Sequence, residues 1–336
     1  MRLRTRIVSL TAVAAIAGSL TACSAATAGG QQSPAAARAA VAATPRSSAT
    51  PSPSATPSPS VSPRILVTGA PKKVKAKGAV LADAATGQVL WSRDLNAERP
   101  MASVTKVMTA LLVLQAGDLG QEIRITKAAM SYAWKNGGES AGLHPGDTLT
   151  AQQLLPALLL PSGADAAYAL ASTYGPGMNA FIAKMNATAV KMGMLHTHFT
   201  SPDGLPYPTE TATYSTPSDL LTLGLAAMKY PAFRSIVDLR FYNLPKVKGQ
   251  HHQYWWDNTD GLIGSYQGAM GIKTGYTDKA LHCLLFEAAR NGRTLIGVVL
   301  GSPATGVNAG AQDAEKMLNW GFGLPPASAS ASASPS

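Results

Sequence analysis

The stretch "SVTKVMTALLVLQAG", Ser103–Gly117, decides how the rest of the chain is read. Val107, Leu111 and Leu114 recur at helical spacing, and Gly117 supplies a stop, so a buried amphipathic helix is expected. At its start stand Ser103 and Lys106. Residues three apart on a helix share a face, so the lysine amine can reach the serine hydroxyl. A serine is a weak nucleophile until a base takes its proton. Lysine can be that base only where burial or nearby positive charge lowers its pKa. The helix N-terminus also offers backbone N–H groups to a developing oxyanion. Taken alone, the pattern is weak and better describes an N-cap serine with a solvent-facing lysine.

Outward from this helix, "LTAQQLLPALLL" (149–160) reads as a helix with Thr150 as N-cap, and "DAAYALASTYG" (165–175) and "MNAFIAKMNATAVKMGM" (178–194) as two more. Residues 216–230 read as a further helix with Pro217 near its start. On the N-terminal side, Val80–Asp83 and Gln88–Ser92 flank turn residues and suggest a hairpin. On the C-terminal side, residues 270–277, 281–290 and 294–302 are strand-like, the last two joined at Asn291-Gly292, and a helix over about 309–321 follows. A lone hairpin is not stable by itself, so strands from both ends must share one antiparallel sheet, with the helical middle as a lobe beside it. There is no internal repeat, no P-loop and no GxGxxG after a strand, and no cofactor is expected.

Two further short motifs carry chemistry. Ser162-Gly163-Ala164 lies on the turn between two helices. Ser162 is either a cap for the helix that follows or a second hydroxyl that relays protons. Lys273-Thr274-Gly275 lies on an expected strand. Its ammonium and hydroxyl suit a carboxylate, its glycine lets a ligand approach the backbone, and a substrate laid along the strand would pair with its edge.

In the order SxxK, Ser-x-x, KTG, together with "DAATGQVLWSRDLNAERPMASVTKVMTALLVL", "GLHPGDTLTAQQLLPALLLPSGADAA", "SPDGL" and "GAMGIKTGYT", the chain resembles the low-molecular-mass penicillin-binding proteins that are serine-type D-alanyl-D-alanine carboxypeptidases. The likeness runs from about 78 to 320. It implies an α/β (α+β) transpeptidase/β-lactamase-like fold, a five-stranded antiparallel sheet flanked by helices. It implies Ser103 as acylated nucleophile, Lys106 as general base and Ser162 as relay. Lys273 and Thr274, with Gly275 and Tyr276 on the same strand, would bind the substrate, and the backbone N–H groups of Ser103 and Tyr276 would form the oxyanion hole. The expected partners are peptidoglycan stem peptides ending in D-Ala-D-Ala, and β-lactam antibiotics. One position departs from the pattern: Ala164 stands where asparagine is expected, at a cost of about 1–3 kcal/mol for a lost hydrogen-bonding partner. Two alternatives follow, a β-lactamase-type hydrolase and a catalytically weak wall-binding lipoprotein.

The ends of the chain speak to address. Arg2, Arg4 and Arg6 precede an apolar run from Ile7 to about Leu20, shorter than the ~20 residues of a spanning helix. Leu20-Thr21-Ala22-Cys23 resembles a lipobox, so residues 1–22 are expected to be a lipoprotein signal peptide and Cys23 a lipidation site on the outer face of a bacterial cell membrane. The plainer reading is a signal cleaved near Ala28, with Cys23 discarded. Residues 23–75, rich in Ala, Ser, Pro and Thr, are expected to be a disordered tether, 76–325 the catalytic domain and 326–336 a disordered tail. The only other cysteine, Cys283, lies in an apolar run and reads as a core residue.

The net charge of +10 includes those three arginines and "KKVKAK" at 72–77. Charge alone permits nucleic-acid binding, but export speaks against it, so the basic run reads as a solvated face or a contact with anionic membrane or wall. Without HExxH or a cysteine cluster, His251-His252 and His196-x-His198 read as loop or surface histidines, and no metal is expected. Trp255-Trp256 read as cleft wall or as packing, and Asp165 as a helix cap or a dipole partner.

Overall fold

The computed structural model describes residues 69–303, 306 and 308–324. The signal peptide, Cys23, nearly all of the tether and the C-terminal tail lie outside the described residues. Five strands form one antiparallel sheet in the order β2-β1-β11-β10-β9: β1 (Gly78–Asp83), β2 (Val89–Arg93), β9 (Ala269–Thr277), β10 (Leu281–Arg290) and β11 (Arg293–Ser302). Strands from the two ends of the chain meet where β1 pairs with β11, Val80 opposite Val298. The β10–β11 turn has Asn291 at φ 49° and Gly292 at φ 75°, the left-handed pair that a two-residue hairpin requires.

The sheet is covered on both faces, which is why its central strands are apolar at odd and even positions alike. Val80, Ala82, Leu285, Ile296 and Val298 face the helical lobe. Leu81, Leu284, Phe286, Leu295 and Val299 face α8 (Ala309–Phe322), which buries Ala314, Met317 and Leu318 against them. Cys283 is buried and free, as a core residue should be.

The lobe is built around α1 (Lys106–Ala116), which is buried along its first nine residues and ends at Gly117 with φ 81°. Residues 102–105 form a 3₁₀ turn, so the helix expected from Ser103 starts at Lys106 instead. Packed around it are α3 (Ala151–Leu159), α4 (Ala164–Tyr174), α5 (Met178–Lys191) and α6 (Pro217–Ala227). Thr150 caps α3 through a full capping box with Gln153. The helix expected over 216–230 is borne out as α6, which stops at Ala227, and a separate α7 (Pro231–Val237) opens at Pro231. Three short antiparallel pairs tie the loops together: β3 (Arg99–Pro100) with β6 (Tyr214–Ser215), β4 (Glu122–Arg124) with β5 (Thr148–Thr150), and β7 (Phe241–Leu244) with β8 (Tyr254–Asp257). α2 (Lys127–Lys135), β7 and β8 were not foreseen in the sequence.

The packed chain starts before residue 76. Val74 and Ala76 are buried, while Lys72, Lys73, Lys75 and Lys77 point outward. The Lys75 amide donates to Asp313 at 3.0 Å, and Arg93 donates to the Val74 carbonyl at 2.9 Å. The basic run is thus an extended strap with a solvated face.

Candidate active site

Ser103 and Lys106 meet at the junction of the 3₁₀ turn and α1. The Lys106 ammonium donates to Ser103 Oγ at 2.9 Å and to the Asp203 backbone carbonyl at 3.0 Å. Lys106 is only 1% exposed. Burial is the largest influence on it and lowers its pKa to about 8; the charges of Asp203, Asp165 and Glu139 oppose the shift. At neutral pH, about a tenth of such a lysine is an unprotonated base.

The loop Ser201–Gly204 holds this pair in place. Thr109, one turn beyond Lys106, donates to the Pro202 carbonyl at 2.6 Å, so two successive carbonyls strap α1. Gly204 has φ 82°, and a Cβ there would lie 1.9 Å from the Ala102 carbonyl oxygen. Only glycine lets this loop lie against the turn that carries the serine. The Asp203 carboxylate is fully buried and accepts from the Leu205 amide at 3.1 Å and the Tyr132 hydroxyl at 3.3 Å.

Ser162 is not a helix cap. Gly163 is the N-cap of α4 and no side chain caps that end. Ser162 sits at φ 67°, a strained conformation for a residue with a side chain. Its hydroxyl is buried without a hydrogen-bond partner, and the residue lines the same cleft as Ser103 and Lys106. Asp165 does more than favour a helix dipole: it is fully buried and accepts from Ser140 Oγ at 2.6 Å and from the amides of Ala141 and Ala166, each at 2.9 Å. It thereby pins the segment after α2 onto α4. Ala164 donates its amide to the Glu139 carbonyl at 2.7 Å, and its methyl is packed toward Gly138.

Strand β9 closes the other wall. Gly275 runs so close to the 3₁₀ turn that a Cβ would lie 2.8 Å from the Met101 carbonyl and 3.0 Å from the Ser103 amide. Thr274 Oγ1 is 2.7 Å from Thr259 Oγ1, two hydroxyls on one rim. Tyr276 is half exposed and packs its ring on His282. Lys273 is 1% exposed and lies behind this rim. Burial first, then the positive charge of Lys106, lower its pKa to about 7; Asp260 and Glu139 oppose this. Asp260 is itself buried and raised to about 6, chiefly by burial. The cleft between these walls has a volume of about 960 Å³, and Glu139, Leu205, Thr259 and Asn308 complete its lining.

The structure therefore gathers Ser103, Lys106, Ser162, Thr274, Gly275 and Tyr276 around one cleft, with Lys273 buried behind its rim. Asp203, Thr259, Asp260 and Glu139 were missed in the sequence. The glycine after Ser-Pro-Asp was the one signal for the first of these. Trp255 and Trp256 do not line the cleft. Trp256 is buried and donates to the Ala141 carbonyl at 2.7 Å, and Trp255 stacks on Phe241 at 4.3 Å. His196 and His198 are exposed as expected, but His251 is 4% exposed and belongs to the packed interior.

A sheet covered on both faces, a lobe helix carrying serine and a buried lysine, and a cleft closed by a Lys-Thr-Gly strand define the active-serine acyl-transfer class of peptidases and penicillin-binding proteins. The chain belongs to the D-alanyl-D-alanine carboxypeptidase family, whose profile matches residues 66–304. It is 40% identical over 262 residues to the D-alanyl-D-alanine carboxypeptidase of Streptomyces sp. strain K15, covering 75% of this chain and 88% of that one. It is 39% identical to the carboxypeptidase DacB2 of Mycobacterium tuberculosis, covering 74% of this chain and 82% of that one. The crystal structure of the Streptomyces K15 DD-transpeptidase superposes with a TM-score of 0.72 at 40% identity, covering 77% of this chain and all of that one.

Because Ser162 caps nothing, Ser162→Ala is expected to leave the melting temperature within about 2 °C of the parent, where losing a true cap costs about 1 kcal/mol. Its acylation by a fluorescent penicillin is expected to slow at least about tenfold, the low end for a group that moves a proton. Calorimetry and stopped-flow labelling check the two halves. Early melting with normal acylation would make Ser162 structural.

Proposed function

We propose that this serine-type D-alanyl-D-alanine carboxypeptidase works through an acyl-enzyme on Ser103, with Lys106 as the base. The observation that carries the reading is the 2.9 Å contact between Lys106 Nζ and Ser103 Oγ, made by a lysine whose burial favours its neutral form. Lys106 takes the serine proton as Oγ attacks the peptide carbonyl between the two terminal D-alanines. Ser162, with a hydroxyl free of other partners, passes a proton to the departing D-alanine amine. Water then hydrolyses the ester and regenerates the serine. The Ser103 amide at the 3₁₀ turn and the amide of Tyr276 on the strand beside it are assigned to the oxyanion.

Thr274 and Lys273 are assigned to the substrate's terminal carboxylate. A carboxylate in the cleft would raise the Lys273 pKa and keep it charged, while Lys106 stays the base. Penicillins acylate the same serine and leave slowly. The partition between hydrolysis and transfer depends on whether water or an amine reaches the acyl-enzyme. The strain K15 relative carries both names, carboxypeptidase and DD-transpeptidase.

Ala164 slows but does not abolish this chemistry, because Lys106 already has a fixed acceptor in the Asp203 carbonyl. That favours an enzyme over a wall-binding lipoprotein. Labelling with a fluorescent penicillin, lost in Ser103→Ala, is the expected result; labelling that persists would remove Ser103 from the role. In Lys273→Ala, kcat/KM is expected to fall by at least about tenfold more on a peptide with a free terminal carboxylate than on a thioester without one, as loss of one charged hydrogen bond implies. Equal losses on both would make Lys273 a second base or a structural residue.

We also propose that the chain is exported and held on the outer face of the membrane by lipid on Cys23. The Leu20–Cys23 motif and the long polar segment after it support this. Among the described residues, no helix is long and apolar enough to cross a membrane. Cys23→Ser is expected to leave the membrane fraction or to accumulate unprocessed. A variant that stays membrane-bound at the processed size would refute the anchor.

A further inference from the structure

Away from the cleft, the segment before β5 and the residues that lead into β8 bring together His144, Asp147, His252 and Tyr254. Asp147 is buried, and both its oxygens are engaged. Oδ1 lies 2.9 Å from His252 Nδ1, and Oδ2 accepts from the His252 amide at 2.9 Å and from the Tyr254 hydroxyl. Burial works against its ionisation, but the hydrogen bonds from Tyr254 and His252 outweigh it and hold the carboxyl below the usual carboxylate range. The Tyr254 hydroxyl in turn accepts from the His144 amide at 3.0 Å and lies 3.3 Å from His144 Nδ1. The His144 and His252 rings stack with centroids 4.2 Å apart at 23°. Both rings are solvent-accessible.

We propose that His144, Asp147 and His252 form a binding site for a divalent transition-metal ion, Zn²⁺ foremost, with one nitrogen of each ring and one carboxylate oxygen as ligands. The three atoms lie within 4.8 Å of one another. Ligands of a tetrahedral zinc ion stand about 3.3 Å apart, given bonds of about 2.0–2.2 Å. The 2.9 Å spacing from Asp147 to His252 is close to that edge, and the exposed His144 ring would turn out of its stack on His252 to complete the set. Two imidazoles and one carboxylate suit a borderline ion better than Ca²⁺ or Mg²⁺. Tyr254, donating to the second carboxylate oxygen, is the kind of outer partner that orients a metal-ligating carboxylate. Solvent completes the coordination on the open side.

The histidine pairs that the sequence displays are adjacent or one residue apart; this site instead joins residues 105 positions apart, which only the fold reveals. The ion would brace the 144–147 segment against β8. That segment continues from residues 136–139, which line the cleft, and Trp256 of β8 already holds Ala141. The ion is therefore a brace for one wall of the cleft, with no part in the acyl transfer.

Isothermal titration of ZnCl₂ into the full chain, without a histidine tag and after EDTA treatment, tests this at one fixed pH. One equivalent of Zn²⁺ is expected to bind, and a rise in melting temperature should accompany it. His144→Ala and His252→Ala, both at exposed rings, are expected to melt like the parent in EDTA and to bind at least about tenfold more weakly, in the range seen when a metal site loses a supporting group. Undiminished binding in the double variant, or no binding at about 100 µM, would overturn the proposal, since a three-ligand site of this kind should hold its ion more tightly than that.

Discussion

The ammonium of Lys106 is the group on which the rest of the site depends. A charged lysine at 1% exposure is costly unless its protons are used, and here they go to Ser103 Oγ and to the Asp203 carbonyl. That cost is also what makes it a base, because burial favours the neutral amine. Everything around it can be read as holding that one geometry. Thr109 and Lys106 clamp the 201–204 loop from one helix face, Gly204 allows the loop to lie under the 3₁₀ turn, and Gly275 lets β9 press on the same turn from the other side. A second buried lysine, Lys273, is lowered too, first by burial and then by the charge of Lys106. In the proposed reaction the two lysines divide their duties, Lys106 giving up a proton beside the serine and Lys273 held charged by the substrate's carboxylate.

The sheet supplies the rigidity this needs. Because β9 is paired along β10, which is buried against α8 on one face and the lobe on the other, it cannot shift without disturbing both. The lobe carries the serine, the lysine and the Ser162 hydroxyl on segments joined by buried polar contacts, Asp165 above all. The cleft is thus a seam between a stiff sheet edge and a packed helical lobe.

The parts of this legible from sequence were those written in side-chain type and periodicity. The strands at 270–302 show as apolar runs broken by Asn291-Gly292, α1 shows in its Val107–Leu111–Leu114 spacing, and the three motifs name Ser103, Lys106, Ser162 and Lys273. What stayed hidden works otherwise. Asp203 holds Lys106 through its backbone carbonyl, which any residue type possesses. α2 buries only Ala129 and Ala133, too weak a stripe to stand out. The β7–β8 pair is separated by a polar loop, and Tyr254, Trp256 and His251 look like surface residues until tertiary packing covers them. Ser162 was ambiguous between cap and relay, and the local backbone removes the cap reading, since Gly163 takes the cap position.

The most direct measurement is the ionisation of Lys106 itself. With lysine labelled at Cε with ¹³C, the resonance that vanishes in Lys106→Met can be followed by NMR through a pH titration of the intact protein. A midpoint near pH 8 is expected, as burial dictates. A midpoint at or above the ordinary lysine value of about 10.4 would mean that Lys106 stays charged and cannot be the base that activates Ser103.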